Sequence, residues 1–296
     1  MNKITLILYF LLPFLISAQN QMDITEQLIN GTVRIEAKNG NKISIGTGFY
    51  FTFGKKFGAD SITIPAIITN KHVVNGFKNI KLFFKRRVNN KPDYNNSLTI
   101  NIVNDTNTVV QHPNNKIDLV AIPIASILTE LDKNNVDLFY ISADKKLIPN
   151  DSIQKQELKS IEDVIMIGYP SGLWDTKNNL PIVRKGITAT TPYLDYNGKR
   201  EFLVDIAAFG GSSGSPIFVN RDMYVDKQRN VGVLKPQLFL LGILYGGPLY
   251  TVDGKLEMSN FNEPNPNFKS KIPMNLGYVI KASELLGFES VLFSEK

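Results

Sequence analysis

Short apolar runs alternate with polar, turn-forming segments along most of the 296-residue chain. The apolar runs are rich in β-branched and aromatic residues, clusters of Asn, Gly, Pro and Asp separate them, and helical periodicity is scarce. Many short strands divided by turn signals are typical of an antiparallel barrel or sandwich. The predicted strands are residues 32–37, 43–53, 62–69, 80–84, 98–103, 119–124, 164–168, 182–187, 202–206, 216–219, 238–245 and 276–280.

Helices are predicted only near the ends of this β-rich region, at residues 25–29 and 282–288. Two polar stretches, residues 104–115 and 145–159, are predicted to be loops. Residues 220–235 and 251–273 are two further polar insertions. Since residues 145–159 can join two halves, we predict two β-domains of similar size, residues 24–145 and 156–292.

The first 18 residues have the pattern of a secretory signal peptide. Lys3 precedes an apolar run at residues 4–16, and Ser17-Ala18-Gln19 offers a small-residue cleavage context. An uncleaved membrane anchor is the alternative, but a spanning helix needs about 20 apolar residues. No cysteine follows the run, which excludes a lipoprotein anchor. We therefore predict a cleaved signal at residues 1–18, secretion or a periplasmic location, and no stable membrane insertion of the mature chain.

The amino-acid composition excludes several kinds of catalytic and metal-binding site. The chain has no cysteine and two histidines, with 43% hydrophobic and 20% charged residues. A disulfide framework, a thiol nucleophile and a cysteine-ligated metal are excluded. Two histidines also argue against a multi-histidine metal centre, so we expect no metal and no organic cofactor.

The net charge of +6 is mild, and the basic residues are densest around Phe83 and Phe84. This basic patch consists of Lys78, Lys81, Lys85, Arg86, Arg87 and Lys91. Nucleic-acid binding needs a basic stripe with aromatic platforms. The alternative is a solvated strand whose aromatic side chains face the core. Because the predicted export separates the protein from nucleic acid, we favour the solvated strand and expect no nucleic-acid partner.

The strongest chemical motif is GGSSGSP at residues 210–216. Glycines around a serine allow a tight turn and the close approach of a substrate carbonyl. Acyl transfer needs such an exposed nucleophile beside backbone N–H groups that hold an oxyanion. A serine hydroxyl is a weak nucleophile without a base, and the two histidines make His72 or His112 that base.

His72 follows an apolar strand in ITNKHVV, residues 68–74, so a rigid element would position it. His112 lies in QHPNN, residues 111–115, which has the composition of a loop. A catalytic histidine also needs an orienting carboxylate. Asp118 opens the apolar run DLVAIPI, where an acid is costly to bury unless a partner neutralises it.

Seven motifs together resemble the chymotrypsin-like (trypsin-fold) serine peptidases, and most closely their bacterial glutamyl-endopeptidase and Deg/Htr-type branch. They are GTGF at 46–49, ITNKHVV at 68–74, HP and DLVA within 112–121, VIMIGYP at 164–170, DIAA and GSSGSP within 205–216, GILYGG at 242–247, and NLGYVI at 275–280. Each motif alone is weak, but their order is specific. The chain order His–Asp–Ser is that of this family and differs from the subtilisin and α/β-hydrolase orders.

This resemblance implies an all-β fold of two antiparallel six-stranded β-barrels with short terminal helices and a catalytic cleft between the barrels. Ser213 would be the nucleophile, His72 its base and later the acid, and Asp118 the group that fixes the imidazole tautomer. The backbone N–H groups of Gly211 and Ser213 would form the oxyanion hole. His112 is then expected to be a turn residue.

The resemblance also places a substrate site on the second barrel. The residues expected to contact substrate are Ala207, Ala208, Tyr245, Gly246, Gly247 and Gly277. None is charged, so we expect a small or apolar P1 side chain, with substrate adding a β-strand along residues 245–247. The alternative is that the two alanines are barrel core. We expect residues 251–273 to overhang this pocket, and Trp174 to be a packing residue.

Departures from the family pattern refine the prediction. Ser212 stands where digestive members have an aspartate that pairs with a newly freed N-terminal amine, so we expect activity without internal cleavage. No histidine remains for a glutamate-specific pocket, which makes glutamate specificity doubtful. Few residues follow the closing strand motif, so no PDZ domain and no caged oligomer are expected.

We therefore predict an exported, monomeric serine endopeptidase that acts on protein or peptide substrates. Two alternatives remain open: a catalytically silent peptide-binding module with the same fold, and an esterase that uses the same triad.

Overall fold

A computed structural model of the protein describes residues 22–57, 60–226, 228–229, 231–255 and 267–294. The predicted signal peptide, residues 1–18, lies outside the described residues. No helix within these ranges combines the length and the apolar character that crossing a bilayer requires.

The first half of the described chain is one sheet of nine strands, antiparallel except for the last. Its strands are β1 Thr32–Asn39, β2 Lys42–Phe57, β3 Asp60–Thr69, β4 Asn79–Val88, β5 Lys91–Val103, β6 Val110–Gln111, β7 Val120–Pro123, β8 Leu138–Phe139 and β9 Ala143–Asp144. They are ordered β5-β4-β1-β2-β3-β7-β6, with β8 on β4 and β9 parallel to β2. Six of these strands have four or more residues, whereas β6, β8 and β9 have two residues each.

The second half is a closed six-stranded barrel in the order β10-β11-β12-β17-β14-β13. Its strands are β10 Asp163–Gly168, β11 Ile182–Thr188, β12 Glu201–Asp205, β13 Pro216–Asp226, β14 Val231–Gly246 and β17 Leu276–Lys281. A separate two-stranded sheet pairs β15, Leu249–Lys255, with β16, Asn267–Pro273. The predicted fold class is confirmed, whereas the domain boundaries at 24–145 and 156–292 stay a prediction.

Alternation along the strands explains the core. Ile80, Leu82 and Phe84 on β4 are all buried, because residues two apart face the same side of a sheet. They pack with Val33 and Ile35 of β1 in the core of the first half.

Both polar insertions contain strands. Strands β13 and β14 continue through residues 220–235 as a hairpin in which Met223 pairs with Leu234. The ends of the insertion 251–273 form most of β15 and β16. The described side chains of both segments are exposed or half-buried, so they lack the apolar alternation of a strand with one buried face.

Helices are short throughout the described chain. They are α1 Ile24–Asn30, α2 Lys71–Val74, α3 Ala125–Lys133, α4 Asp151–Gln156 and α5 Glu289–Leu292, with 3-10 helices at Lys145–Leu147, Pro170–Gly172 and Ala282–Phe288. The predicted terminal helices are present, but α3 was not predicted. The prediction of a loop at 145–159 was wrong for α4, whose N-terminus is capped because the Asn150 side chain accepts the Ile153 N–H.

The 3-10 helix Ala282–Phe288, which we call the C-terminal clasp, follows the barrel and packs back against the first half. The Phe288 ring is buried, with its centroid 5.9 Å from that of Phe53 and 5.0 Å from the imidazole of His112. His112 Nε2 donates to the Glu284 carbonyl oxygen at 2.9 Å. As predicted, His112 lies in the turn after β6, where its Nδ1 accepts the Asn114 N–H at 3.1 Å, but its side chain is also buried between the two halves.

Lys85 departs from the predicted solvated face of the basic patch. It follows Phe84 on β4, yet only 5% of it is exposed, and its Nζ donates to Asn30 Oδ1 at 3.0 Å. Burial lowers the pKa of the Lys85 ammonium to about 8. The side chain ties α1 to the first sheet at the cost of a partly desolvated charge.

Lys85 makes stability depend on pH in the alkaline range. The unfolded chain, with an ordinary lysine pKa of 10.5, holds this proton more tightly than the folded chain. Below about pH 8, this difference lowers the free energy of unfolding by about 3 kcal/mol. We expect the free energy of unfolding to regain this amount as the pH rises to about 10.5. Denaturant unfolding at several pH values should show this rise for the wild type but not for Lys85→Met, whereas parallel curves would contradict it.

Candidate active site

His72 is positioned by an abrupt change from strand to helix. Strand β3 ends at Thr69, the buried Asn70 precedes α2, and Val73 and Val74 anchor that helix in the core. Asn70 Nδ2 donates to the backbone oxygen of Asp118 at 2.8 Å, which ties the start of α2 to the segment before β7. The His72 side chain is thereby held on the surface, 48% exposed.

Asp118 contacts His72 with both carboxylate oxygens. Oδ1 accepts the His72 backbone N–H at 3.1 Å, and Oδ2 lies 2.6 Å from the ring nitrogen Nδ1. Because a carboxylate accepts hydrogen bonds, this contact favours a proton on Nδ1 and leaves Nε2 as an acceptor. The aspartate therefore fixes both the orientation and the tautomer of the imidazole.

Ser213 completes the arrangement from the second half of the chain. Its Oγ lies 2.8 Å from His72 Nε2 and 3.4 Å from the Tyr245 carbonyl oxygen, so the imidazole is the closer acceptor. The structure thus brings the three predicted triad residues together, although Asp118 and Ser213 are 46 and 141 residues from His72 in sequence. A serine hydroxyl in this position can lose its proton to the imidazole as it attacks a carbonyl carbon.

Two glycines give the loop around Ser213 its shape. Gly211 has φ of +86° and Gly214 has φ of +88°, a region that side chains with a Cβ rarely adopt. A Cβ on Gly214 would also run into the carbonyl oxygen of Thr47, and one on Gly211 would lie 2.5 Å from the carbonyl oxygen of Tyr169. Glycine at both positions is therefore a steric requirement.

Gly214→Ala is expected to destabilise the protein by about 2 to 5 kcal/mol, because left-handed strain and overpacking add. Gly40→Ala is a matched control, since Gly40 also has positive φ, +57°, but nothing lies within 4 Å of its would-be Cβ. We expect the control to cost about 1 kcal/mol. Denaturant unfolding of both variants measures the difference, and equal losses would contradict the close approach of Thr47.

The hydrogen bonds of the loop around Ser213 leave the N–H groups of Gly211 and Ser213 available, as well as that of Gly210. The Gly210 carbonyl accepts the Ser171 N–H, the Gly211 carbonyl accepts the Thr47 hydroxyl at 3.0 Å, and the Ser213 carbonyl accepts the Thr47 N–H at 2.8 Å. Among the described residues, the N–H groups of Gly211 and Ser213 have no protein acceptor. In a trans peptide the N–H points opposite to the carbonyl, so the Gly211 N–H points away from Ser171. Both N–H groups are thus free to bind an acceptor from outside the protein.

The residues predicted to contact substrate lie at one end of the barrel, where β12, β17 and β14 are neighbours. Ala207 and Ala208 follow β12 and are half-buried, and Ala208 packs against the barrel core. Gly246 ends β14, and Gly247 follows it in an exposed position. Gly277 is buried on β17 opposite Val204, and a Cβ on Gly247 would run into the Leu276 carbonyl oxygen.

Tyr245 presents its backbone, not its phenol, to Ser213. The phenol donates to Glu201 Oε2 at 2.6 Å, and its ring stacks on Tyr278 with centroids 5.9 Å apart. Burial raises the pKa of the Tyr245 phenol, and the hydrogen bond to Glu201 raises it further. The phenol therefore stays neutral and acts as a fixed donor that anchors this end of β14.

Sequence reasoning missed Thr47, Ser171 and Glu201. Thr47 lies within the recognised GTGF motif, which was a usable signal, whereas nothing in the sequence pairs Ser171 with Gly210. Trp174 is a packing residue as predicted, because its ring covers the Arg34 guanidinium at 3.9 Å. Within the described ranges, no cluster of three or more His, Asp or Glu side chains could hold a metal ion.

Several solved structures are distantly similar to this chain. The serine endoprotease from Yersinia pestis is 16% identical, with 92% of this chain and 68% of that chain covered and a TM-score of 0.46. The inactivated protease paralogue from the scabies mite is 12% identical, with coverages of 94% and 99% and a TM-score of 0.45. Tobacco etch virus protease complexed with product is 16% identical, with coverages of 94% and 83% and a TM-score of 0.43. Likenesses this distant carry no argument about activity.

Sequence comparison is more informative than these backbones. No curated protein matches the chain. The family model described as the trypsin-like peptidase domain matches residues 46–225, which is more than half of the chain and contains His72, Asp118 and Ser213. The chain therefore belongs to the trypsin-like peptidase family.

Proposed function

We propose that the protein is an exported serine endopeptidase that hydrolyses peptide bonds through an acyl-enzyme on Ser213. The observation that supports this proposal best is the continuous contact from carboxylate to imidazole to hydroxyl. Asp118 Oδ2 lies 2.6 Å from His72 Nδ1, and His72 Nε2 lies 2.8 Å from Ser213 Oγ. Each distance is within hydrogen-bonding range for proton transfer.

Acylation follows from this geometry. Ser213 Oγ attacks the carbonyl carbon of the scissile bond as its proton passes to His72 Nε2. The resulting oxyanion is stabilised by the N–H groups of Gly211 and Ser213, each donor contributing about 3 kcal/mol. The imidazolium, stabilised by Asp118, then protonates the leaving amine, and the peptide bond breaks to leave an ester on Ser213.

Deacylation repeats the same steps with water. His72 Nε2 takes a proton from a water molecule that attacks the ester carbonyl, and the same two N–H groups hold the second oxyanion. The imidazolium returns the proton to Ser213 Oγ as the ester bond breaks. The carboxylic acid product leaves, and the enzyme regains its starting protonation.

We also propose how the substrate is held. An extended peptide would pair with residues 245–247 at the end of β14, where Gly246 and Gly247 leave room for its backbone. Its P1 side chain would enter beside Ala207, with the buried Gly277 below. Because these residues carry no charge, the proposed preference is for small or apolar P1 side chains.

Export is the third part of the proposal and rests on the signal-like residues 1–18 alone. The mature protein is expected outside the cytoplasm with a new N-terminus after Ala18 or Gln19. Cell fractionation with N-terminal sequencing measures this, and a full-length protein in the cytoplasm would contradict it.

Labelling with a fluorophosphonate tests the catalytic proposal. We expect the wild type to be labelled on Ser213 and to cleave members of a peptide library, and Ser213→Ala to do neither. A folded wild type that is not labelled would support the silent peptide-binding module. A wild type that is labelled and hydrolyses simple esters but no peptide would support the esterase.

A further inference from the structure

Thr47 on β2 is the main contact between the first half and the loop that carries Ser213. It is fully buried, its N–H donates to the Ser213 carbonyl at 2.8 Å, and its hydroxyl donates to the Gly211 carbonyl at 3.0 Å. The hydroxyl oxygen also accepts the Tyr169 N–H at 3.0 Å, which leaves its own proton to point at Gly211. The Thr47 carbonyl accepts from Thr69 Oγ1 at 2.7 Å. One residue thus holds two peptide groups of the loop.

The positions of these bonds matter for the oxyanion hole. The two N–H groups proposed to bind the oxyanion belong to the peptides 210–211 and 212–213. Thr47 binds the carbonyls of the peptides 211–212 and 213–214, which alternate with them. Because a peptide group is planar, fixing the alternate planes limits how the two N–H groups can turn.

Gly211 is the residue at which the loop could change conformation. Glycine readily adopts several backbone conformations, so its φ of +86° needs support from outside the loop. The Ser171 N–H holds the carbonyl on one side of Gly211, and the Thr47 hydroxyl holds the carbonyl on the other side. Without the hydroxyl, the peptides on either side of Gly211 would keep the Ser171 contact and the bond from the Ser212 N–H to the Phe209 carbonyl at 3.0 Å, but no contact from the first half to the Gly211 carbonyl.

Ser212 does not supply this support from its own position. Its side chain is 1% exposed, and its Oγ accepts the Phe209 N–H at 3.4 Å, a contact within the same loop. As a neutral residue, Ser212 also cannot form the ion pair with an N-terminal amine that an aspartate would. The Ser212 N–H donates to the Phe209 carbonyl at 3.0 Å, again within the loop, so the contact from the other half of the protein comes from Thr47.

We propose that Thr47 is a positioning residue whose hydroxyl holds the oxyanion loop, residues 210–213, in its productive conformation from the first half of the chain. This inference rests on the proposed serine-peptidase function. In digestive-type family members, a salt bridge to a new N-terminus performs this task. Here a neutral hydrogen bond would perform it, so activity would depend on the packing of β2 against the loop.

Thr47→Val tests the proposal, because valine keeps the shape and removes the hydroxyl. The two probes are p-nitrophenyl acetate and p-nitrophenyl butyrate, which both acylate Ser213 through an oxyanion on the proposed N–H groups and release p-nitrophenol. We expect both acylation rates to fall about 10- to 100-fold, which is no more than the loss of one oxyanion donor typically costs. Thr47→Ser, which retains the hydroxyl, should stay within about threefold of the wild type.

Thr188→Val is a matched control. The Thr188 hydroxyl is also buried, accepts the Glu162 N–H at 2.9 Å and donates to the Ser160 carbonyl at 3.4 Å. It lies on β11, away from the oxyanion loop. We expect Thr188→Val to lower the thermal midpoint as much as Thr47→Val does, yet to keep both acylation rates.

A third measurement separates positioning from general stability. A peptide boronate forms a tetrahedral adduct on Ser213 with an oxygen in the oxyanion hole, so Thr47→Val should weaken its affinity in parallel with the rates. Equal acylation rates and boronate affinities in Thr47→Val and Thr188→Val would overturn the proposal. If Thr47→Val does not fold, Thr47→Ala, which adds no bulk, takes its place. A wild type that is never labelled would instead refute the proposed function itself.

Discussion

Ser213→Ala is expected to lower kcat for the best peptide of a library profile by about 10⁶-fold, because the acyl-enzyme can no longer form. His72→Ala should cost a similar factor, since the hydroxyl 2.8 Å from Nε2 loses its base. The two residues act on one proton, so the double variant should be no worse than either single variant. Steady-state kinetics at high enzyme concentration measure all three.

The control for these variants is substrate binding. Neither change replaces a strand-pairing residue at 245–247, and Ser213→Ala removes only the 3.4 Å contact of its hydroxyl with the Tyr245 carbonyl there. Peptide affinity of the folded variants should therefore remain within about threefold of the wild type. A Ser213→Ala variant that keeps more than about one per cent of the wild-type kcat would show that another group is the nucleophile. Losses that multiply in the double variant would show that the two residues do not share a step.

Asp118→Asn is expected to lower kcat by about 10⁴-fold while leaving the backbone in place. An asparagine can turn its amide N–H toward His72 Nδ1, which then becomes the acceptor and moves the ring proton to Nε2. A protonated Nε2 cannot accept the proton of Ser213. The variant should therefore fold normally and keep the contact between residue 118 and His72 Nδ1, which is 2.6 Å in the wild type. The donor in this contact would now be the asparagine N–H and the acceptor Nδ1.

Asp137→Asn is a suitable control for the loss of a carboxylate. Asp137 pairs with Arg87 at 3.0 Å, and its side chain is 68% exposed on the first half. Exposed ion pairs contribute little, so we expect unchanged kcat and a loss of stability under about 1 kcal/mol. If Asp118→Asn stayed within tenfold of the wild-type kcat, the tautomer argument for Asp118 would be wrong.

The triad was predictable because each member occurs in a motif with a local structural cause. His72 follows the apolar strand β3, Asp118 precedes the apolar β7, and Ser213 is surrounded by glycines with positive φ. The sequence also predicted most long strands of both halves, because strands with one buried face alternate with period two. The structure places these residues within hydrogen-bonding distance, and their catalytic roles stay a proposal.

What the sequence missed depends on distant contacts. The bond from Thr47 to Gly211 joins residues 164 apart, and that from His112 to Glu284 joins residues 172 apart. Lys85 is buried because α1 covers it, which no local pattern reveals. The hairpin of β13 and β14 was missed for another reason. Its outer part, which includes Met223 and Val225, is exposed, and its apolar residues are not spaced in the strict alternation of a half-buried strand.

The C-terminal clasp has a consequence for the order in which the protein matures. His72, Asp118 and Ser213 are all made by the ribosome before residues 282–288, whose Phe288 and Glu284 fasten the barrel to His112 and the first half. The contacts of the clasp with the first half can therefore form only after all three triad residues and the last barrel strand have been synthesised.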